Sequence, residues 1–196
     1  MKIKNFILIV FIYFLSLTSI YAIESSVFVQ STVNRASAIL SKDISKNEKI
    51  EELKIIAKDT VDIEGIGFYT LGAYRKEMNE SELKKYAELF EQYFLKSFSS
   101  RLTEYTNPEI SVNSKEILSE NYTIVNSVLK ETSERPEVKI DWRVYTKNQD
   151  SPLIRDLIIE GLSLARTQKE EFSSIINSND GNFKALFKTL EDFTKN

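Results

Sequence analysis

Apolar residues return at three- and four-residue steps between Asn79 and Thr106 more densely than anywhere else beyond residue 22. Leu83, Tyr86, Ala87, Phe90, Tyr93, Phe94, Phe98, Leu102 and Tyr105 fall on one face of a helix, with Glu, Lys and Ser opposite. Asn79 with Glu82 three residues on spells a capping box, and Asn107-Pro108 ends the pattern. The spacing predicts a helix over Glu80 to Tyr105, roughly 39 Å long at ~1.5 Å per residue. Such a face ordinarily packs into a core. Its run of rings at Tyr86, Phe90, Tyr93, Phe94, Phe98 and Tyr105 also carries a sharper expectation, that part of it lines an apolar cavity.

Upstream, Val27 to Leu40 repeats Phe28, Val29, Val33, Ala36 and Leu40 at helical spacing. After a polar break over Ser41 to Asn47, Lys49 to Thr60 carries Ile50, Leu53, Ile56 and Ala57. The stretch from Asp62 to Tyr74 holds Gly65, Gly67 and Gly72, three of the five glycines. No apolar strand precedes it and no Gly-Lys-Ser/Thr follows, so it is not a nucleotide loop. These glycines read instead as permitting close packing or a bend.

Downstream the texture becomes β-rich over Ile110 to Leu118, Asn121 to Leu129, Val138 to Tyr145 and Leu153 to Leu164. Val138, Ile140, Trp142 and Val144 alternate with Lys139, Asp141, Arg143 and Tyr145, the mark of a sheet with one wet face. Asn148-Gln149-Asp150-Ser151-Pro152 is a turn between the last two strands. Short links predict a four-stranded antiparallel meander. Thr167-x-x-Glu170 reads as a capping box opening a helix with Phe172, Ile175 and Ile176, and a last helix carries Phe183, Leu186, Phe187 and Leu190. About six helices around this sheet make an α+β single domain.

The first 22 residues change the address. Lys2 and Lys4 precede an apolar run from Phe6 to Leu17, and Thr18 to Ala22 suits cleavage, so 1-22 is expected to be a signal peptide and 23-196 the domain. Removing the leader takes two of the 26 basic residues and none of the 29 acidic ones, moving the net charge from −3 to −5. An acidic chain is a poor fit to nucleic acid or to an anionic membrane surface. Without cysteine there is no disulfide and no lipidated cysteine, so a soluble exported protein is expected.

Candidate chemistry is sparse. The absence of histidine and cysteine removes the commonest general base, the thiol nucleophile and the usual serine triad, and no metal or cofactor site is read. Asp62, Asp141, Asp156 and Glu160 remain. Asp141 and Arg143 are expected to form a surface pair, while Asp156 and Glu160 lie in or beside an apolar strand. A large apolar inventory with almost no reactive one favours a carrier of something hydrophobic. The rival is a small enzyme on a similar cone-shaped fold, using Asp and Tyr for proton transfer.

Several stretches taken in order resemble the MlaC family, also called the toluene-tolerance or Ttg2 family. They are Asp62-x-x-x-Ile66 leading into Thr70-Leu71-Gly72-Ala73-Tyr74, Phe90-Glu91-Gln92-Tyr93, Ile159-Glu160-Gly161-Leu162-Ser163, and Thr167-Gln168-Lys169-Glu170-Glu171-Phe172. The chain departs from the family's habit at Arg75-Lys76 after Tyr74, at Lys169 and at Ile154. The resemblance implies a curved sheet packed with helices around an apolar pocket, similar to nuclear-transport-factor-2-like (NTF2-like) folds. It implies a periplasmic phospholipid carrier, not an enzyme, that shuttles lipid between an outer-membrane lipoprotein complex and an inner-membrane ABC transporter with an MCE-domain subunit. Such a shuttle maintains outer-membrane lipid asymmetry, and a monomer is expected. On this reading the lipid-binding residues are expected to be Leu71, Tyr74, Phe90, Tyr93, Phe94, Phe98, Tyr105, Val125, Ile140, Trp142, Leu157, Ile159, Leu162, Phe172 and Ile176.

Overall fold

The structure, a computed structural model, describes residues 23–133, 135–148 and 150–195. The expected leader lies outside the described residues. Helices α1 (Ser25–Leu40), α2 (Lys46–Thr60), α3 (Ile63–Leu71) and α4 (Glu80–Leu102) come first, with a 3-10 turn over Gly72–Lys76. Strands β1 (Ile110–Ser119), β2 (Tyr122–Leu129), β3 (Val138–Tyr145), β4 (Leu153–Ile159) and β5 (Leu162–Ser163) follow. Helices α5 (Leu164–Asn177) and α6 (Phe183–Lys195) close the chain. The class is the expected α+β, with six α-helices among the described residues on an antiparallel sheet of order β1-β2-β3-β4-β5.

The sheet has five strands rather than four, because the fourth apolar run breaks at Glu160-Gly161. Both residues have positive φ, 49° and 83°, the backbone of a two-residue hairpin, and Ile159 pairs with Leu162 across it. Helix starts also move. The Ser45 hydroxyl accepts from the Glu48 amide and the Glu48 carboxylate takes the Ser45 amide, so α2 opens three residues before Lys49. Helix α5 opens at Leu164 under Ser163, whose hydroxyl accepts from the Arg166 amide at 3.1 Å. Thr167 is already one turn inside, donating to the Ser163 carbonyl, and caps nothing. At the other end, α4 stops at Leu102 and leaves Tyr105 beyond it.

On the sheet, Val138, Ile140, Trp142 and Val144 share the inner face as the alternation predicts. Trp142 is opposite Val125 on one side and Leu157 on the other. The outer face carries a polar ladder in which Ser114 donates to Asn126 and Asn126 donates to Asp141 at 2.9 Å each. Asp141 is therefore not the partner of Arg143, whose guanidinium lies 3.5 Å from Asp156.

Helix α4 is the spine. Its Tyr86 and Phe90 are fully buried, and the Phe90 ring lies within 7 Å of the rings of Tyr86, Tyr93, Phe94 and Phe172. Helix α3 reaches this packing through Gly67, where a Cβ would come within 2.7 Å of the Phe90 ring. One turn away Thr70 donates to the Gly67 carbonyl, so the Tyr86 hydroxyl donates to Thr70 across 2.7 Å. Burial pushes the Tyr86 phenol above its usual range and keeps it a neutral donor. Gly67→Ala is expected to destabilise the domain by roughly 1–2 kcal/mol in urea unfolding, because overpacking against a locked ring outweighs the helix-propensity gain.

Candidate functional site: an apolar cavity

The buried hydrophobic residues fall into two groups. The larger joins α3, α4, α5, α6, the inner sheet face and Val29, Val33 and Ala57 of α1 and α2; the smaller joins Ile39, Leu40, Leu53 and Ile56 of the α1–α2 hairpin. Between them lies a cavity of about 340 Å³. Phe90, Tyr93, Phe94 and Phe98 form the α4 wall, with Phe94 and Phe98 stacked at 5.4 Å and 11°. Ile140, Trp142, Leu157 and Ile159 form the sheet wall, while Val33, Ala36, Leu40, Leu53, Ile56 and Ala57 form the hairpin wall.

The polar groups around this space are largely turned inward on the protein itself. Thr32 donates to the Phe28 carbonyl, Ser37 to Pro108 and Thr60 to Ile56, at 2.8–3.1 Å. Trp142 Nε1 donates to Ser127 at 2.8 Å, and Ser127 in turn donates to the Ile140 carbonyl. Tyr93 donates to Gln168 at 2.8 Å. Burial, with the Glu171 charge nearby, raises the Tyr93 phenol above its ordinary range. A hydroxyl already bonded leaves only carbon to face the cavity.

Asp156, 3 % exposed, is the one buried carboxylate among the described residues. One oxygen accepts from the Ala165 amide at 3.0 Å and the other from the Ser163 hydroxyl at 2.6 Å. It therefore holds down the start of α5, where negative charge also meets the positive end of the helix dipole. Asp62 is similarly engaged, capping α3 through the Gly65 amide and pairing with Arg155 at 2.6 Å. Arg155 also donates to the Tyr122 hydroxyl and lies over the Tyr145 ring. Glu160 accepts from the Lys139 amide on the surface. Of the candidate acids, only Asp156 is among the residues lining the cavity, and both its oxygens accept hydrogen bonds from the start of α5; among the described residues no cluster of acids is placed to hold a metal ion.

Of the expected binding residues, Phe90, Tyr93, Phe94, Phe98, Tyr105, Ile140, Trp142, Leu157 and Ile159 line the cavity. The other six do not. Leu71, Val125 and Ile176 are fully buried in the larger core, and Phe172 packs its edge on Phe90 and Tyr93. Tyr74 turns to Asn177, donating across 2.5 Å, and Leu162 is 52 % exposed at the β4–β5 hairpin. The reason is one of sides: most of α3, α5 and α6 fills the far flank of α4 with side chains, with only Ile66 and the start of α5 at Leu164, Ala165 and Gln168 reaching the cavity, which opens on the α1–α2 flank. The hairpin wall was visible only as two amphipathic helices, since periodicity marks a buried face without saying whether carbon or empty space lies beyond it.

Helices closing over one face of a twisted antiparallel sheet, around an apolar cavity, define an α+β cavity protein. The chain belongs to the MlaC family: the family model described as MlaC protein matches residues 30–192. The solved phospholipid-binding protein from Ralstonia solanacearum in complex with a phospholipid has a similar fold, with a TM-score of 0.73. Identity is 16 %, and the match covers 88 % of this chain and 97 % of that one. No curated protein matches the chain.

The assignment of Asp156 is open to direct test. Asp156→Ala is expected to cost about 1–3 kcal/mol in chemical denaturation, since it strands the Ala165 amide and the Ser163 hydroxyl. Asp156→Asn keeps one accepting oxygen and should cost less.

Proposed function

We propose that this protein is a non-catalytic phospholipid carrier that takes acyl chains into the cavity between the α1–α2 hairpin, α4 and the sheet. The observation that carries the reading is the wall itself, mostly carbon, with its hydroxyls bonded back into the protein except that of Tyr105 and its charged groups limited to Asp156 and Arg101. Family membership and the phospholipid-binding Ralstonia protein of similar fold support it.

The physics sets the requirement. Exposing the ~30 methylenes of a two-chain lipid to water costs on the order of 24 kcal/mol at ~0.8 kcal/mol each. A carrier must offset most of that with a dry apolar cavity while the polar head stays in contact with water. Reactive groups would serve no purpose there, and the candidate acids Asp62, Asp141, Asp156 and Glu160 are each bonded within the protein.

The proposal extends to the route. The resemblance supports a periplasmic shuttle between an outer-membrane lipoprotein complex and an inner-membrane ABC transporter with an MCE-domain subunit, maintaining outer-membrane lipid asymmetry. The Lys2/Lys4 leader with its Phe6 to Leu17 run supports export, and among the described residues no helix is long and apolar enough to cross a membrane. Native mass spectrometry of protein purified from its host, with lipid analysis of whatever is bound, is expected to find phospholipid. Protein that is consistently empty, or that carries only a non-lipid ligand, would refute the reading.

Polarity placed in the cavity should block binding without unfolding the domain. Phe94 and Phe98 are half-buried beside open space, whereas Leu186 of α6 is fully buried in packed core. Phe94→Asp and Phe98→Asp are expected to abolish lipid co-purification yet melt cooperatively by circular dichroism. Leu186→Asp should lose more than about 4 kcal/mol and unfold, as an unpaired charge in a filled core does. Retention of lipid by the two α4 variants would count against the cavity as the binding site.

A further inference from the structure

Two lining residues are themselves exposed, Arg101 and Leu164, and they mark where the cavity meets solvent. At that end the bonding pattern changes. Among the described residues, the only polar side chains lining the cavity without a hydrogen bond or ion pair are Arg101 and Tyr105. They lie four positions apart, Arg101 in the last turn of α4 and Tyr105 just past it, tied back by its amide to the Leu102 carbonyl. A second cation stands behind them: the Arg135 guanidinium lies over the Tyr105 ring at 4.6 Å and donates to the Glu104 carbonyl. Arg135 has no acidic partner among the described residues either. Asp156, the one acid lining the cavity, is taken up by Arg143, Ser163 and the Ala165 amide; Glu104 precedes Tyr105 on the surface, and Glu171 accepts from Gln168. None of the three lies within ion-pairing distance of Arg101.

An apolar cavity whose other polar atoms are bonded away, yet which keeps a cation and a hydroxyl free at its rim, is built for a molecule with an apolar body and an anionic end. We propose that Arg101 and Tyr105, with Arg135 behind, form a headgroup subsite that takes the phosphodiester of the bound lipid. This deepens the carrier reading above and rests on it. The phosphate fixes how far the lipid inserts: its chains run past Phe98 and Phe94 toward Trp142, while the alcohol beyond the phosphate stays in water. Arg101 offers a planar fork of N–H donors matched to two phosphate oxygens, and Tyr105 a third donor. Selectivity then falls on the phosphate shared by all phospholipids, not on the head alcohol. A neutral diacylglycerol with the same chains meets the same walls but leaves the cation unmatched.

The test compares phosphatidylglycerol and phosphatidylethanolamine with diacylglycerol of identical chains, binding to delipidated full domain by native mass spectrometry and fluorescent-lipid displacement. Wild-type protein should prefer both phospholipids over diacylglycerol. Arg101→Gln should weaken both phospholipids by roughly three- to tenfold, the size expected of a rim-exposed charge-assisted contact. Diacylglycerol affinity should be unmoved by the same change. Arg101→Lys should recover part of the loss, since it restores charge without the fork, and Tyr105→Phe should show a smaller loss with the same selectivity. Inorganic phosphate in large excess tests a free anion as the alternative source, and it should not displace bound phospholipid. Equal loss for all three lipids, no loss, or displacement by inorganic phosphate would overturn the subsite while leaving the carrier reading intact. Wild-type protein that binds none of the lipids would instead remove the carrier reading on which the subsite depends.

Discussion

The ring of Phe90 against the bare backbone of Gly67 sets the distance between α3 and α4, and most of the interior follows from that distance. At closer range than any Cβ would allow, Thr70 comes within reach of Tyr86, and two buried hydroxyls satisfy each other and a carbonyl. Phe172 then closes edge-on against Phe90, which brings α5 onto the same flank. The next rings of the stripe, Phe94 and Phe98, come one and two turns later, where the filled core gives way to the space in front of the α1–α2 hairpin. One helix face therefore does two jobs. Its first half is locked among side chains, and its second half faces the cavity.

That division explains how an apolar cavity coexists with so many polar residues around it. Helices α1 and α2 contribute Thr32, Ser37 and Thr60 to the lining, and each hydroxyl is bonded to a backbone carbonyl. The indole of Trp142 is held by Ser127, itself anchored to β3. Such bonds avoid the penalty of an unsatisfied buried group and leave these parts of the wall with little affinity for water. Asp156 follows the same rule at higher stakes, since a buried carboxylate is tolerable only when its oxygens are occupied. The start of α5 occupies them.

The sheet supplies the remaining constraint. A bulge between β3 and β4 at Arg143/Val144 lets Ile154 and Leu157 both keep apolar contacts inside while Arg155 turns out toward Asp62, Tyr122 and Tyr145. The Glu160-Gly161 turn then reverses the chain within two residues, and Ser163 is at once the end of the sheet and the cap of α5. Strand, turn, cap and buried acid form one continuous joint.

Much of this was written locally. The period of 3.6 along 80–102 and the period of 2 along 138–145 identified the spine and the inner sheet face, because each depends only on which side of an element meets water. The capping box at Asn79 marked the start of that spine, and the motif stretches pointed to the family, for the same local reason. What the sequence could not carry was the identity of the space beyond each face. Phe172 and Phe94 read alike as aromatic residues on amphipathic helices, yet one meets packed carbon and the other a cavity, and only the arrangement of distant helices decides which. Hydrogen bonding divides in the same way. The sequence placed Ser163 in the last strand run and the helix start at Thr167, whereas Ser163 is the cap. That Asp156, seven residues earlier, would bind it was settled when β4 and α5 packed together, because burial and partners are properties of the assembled chain.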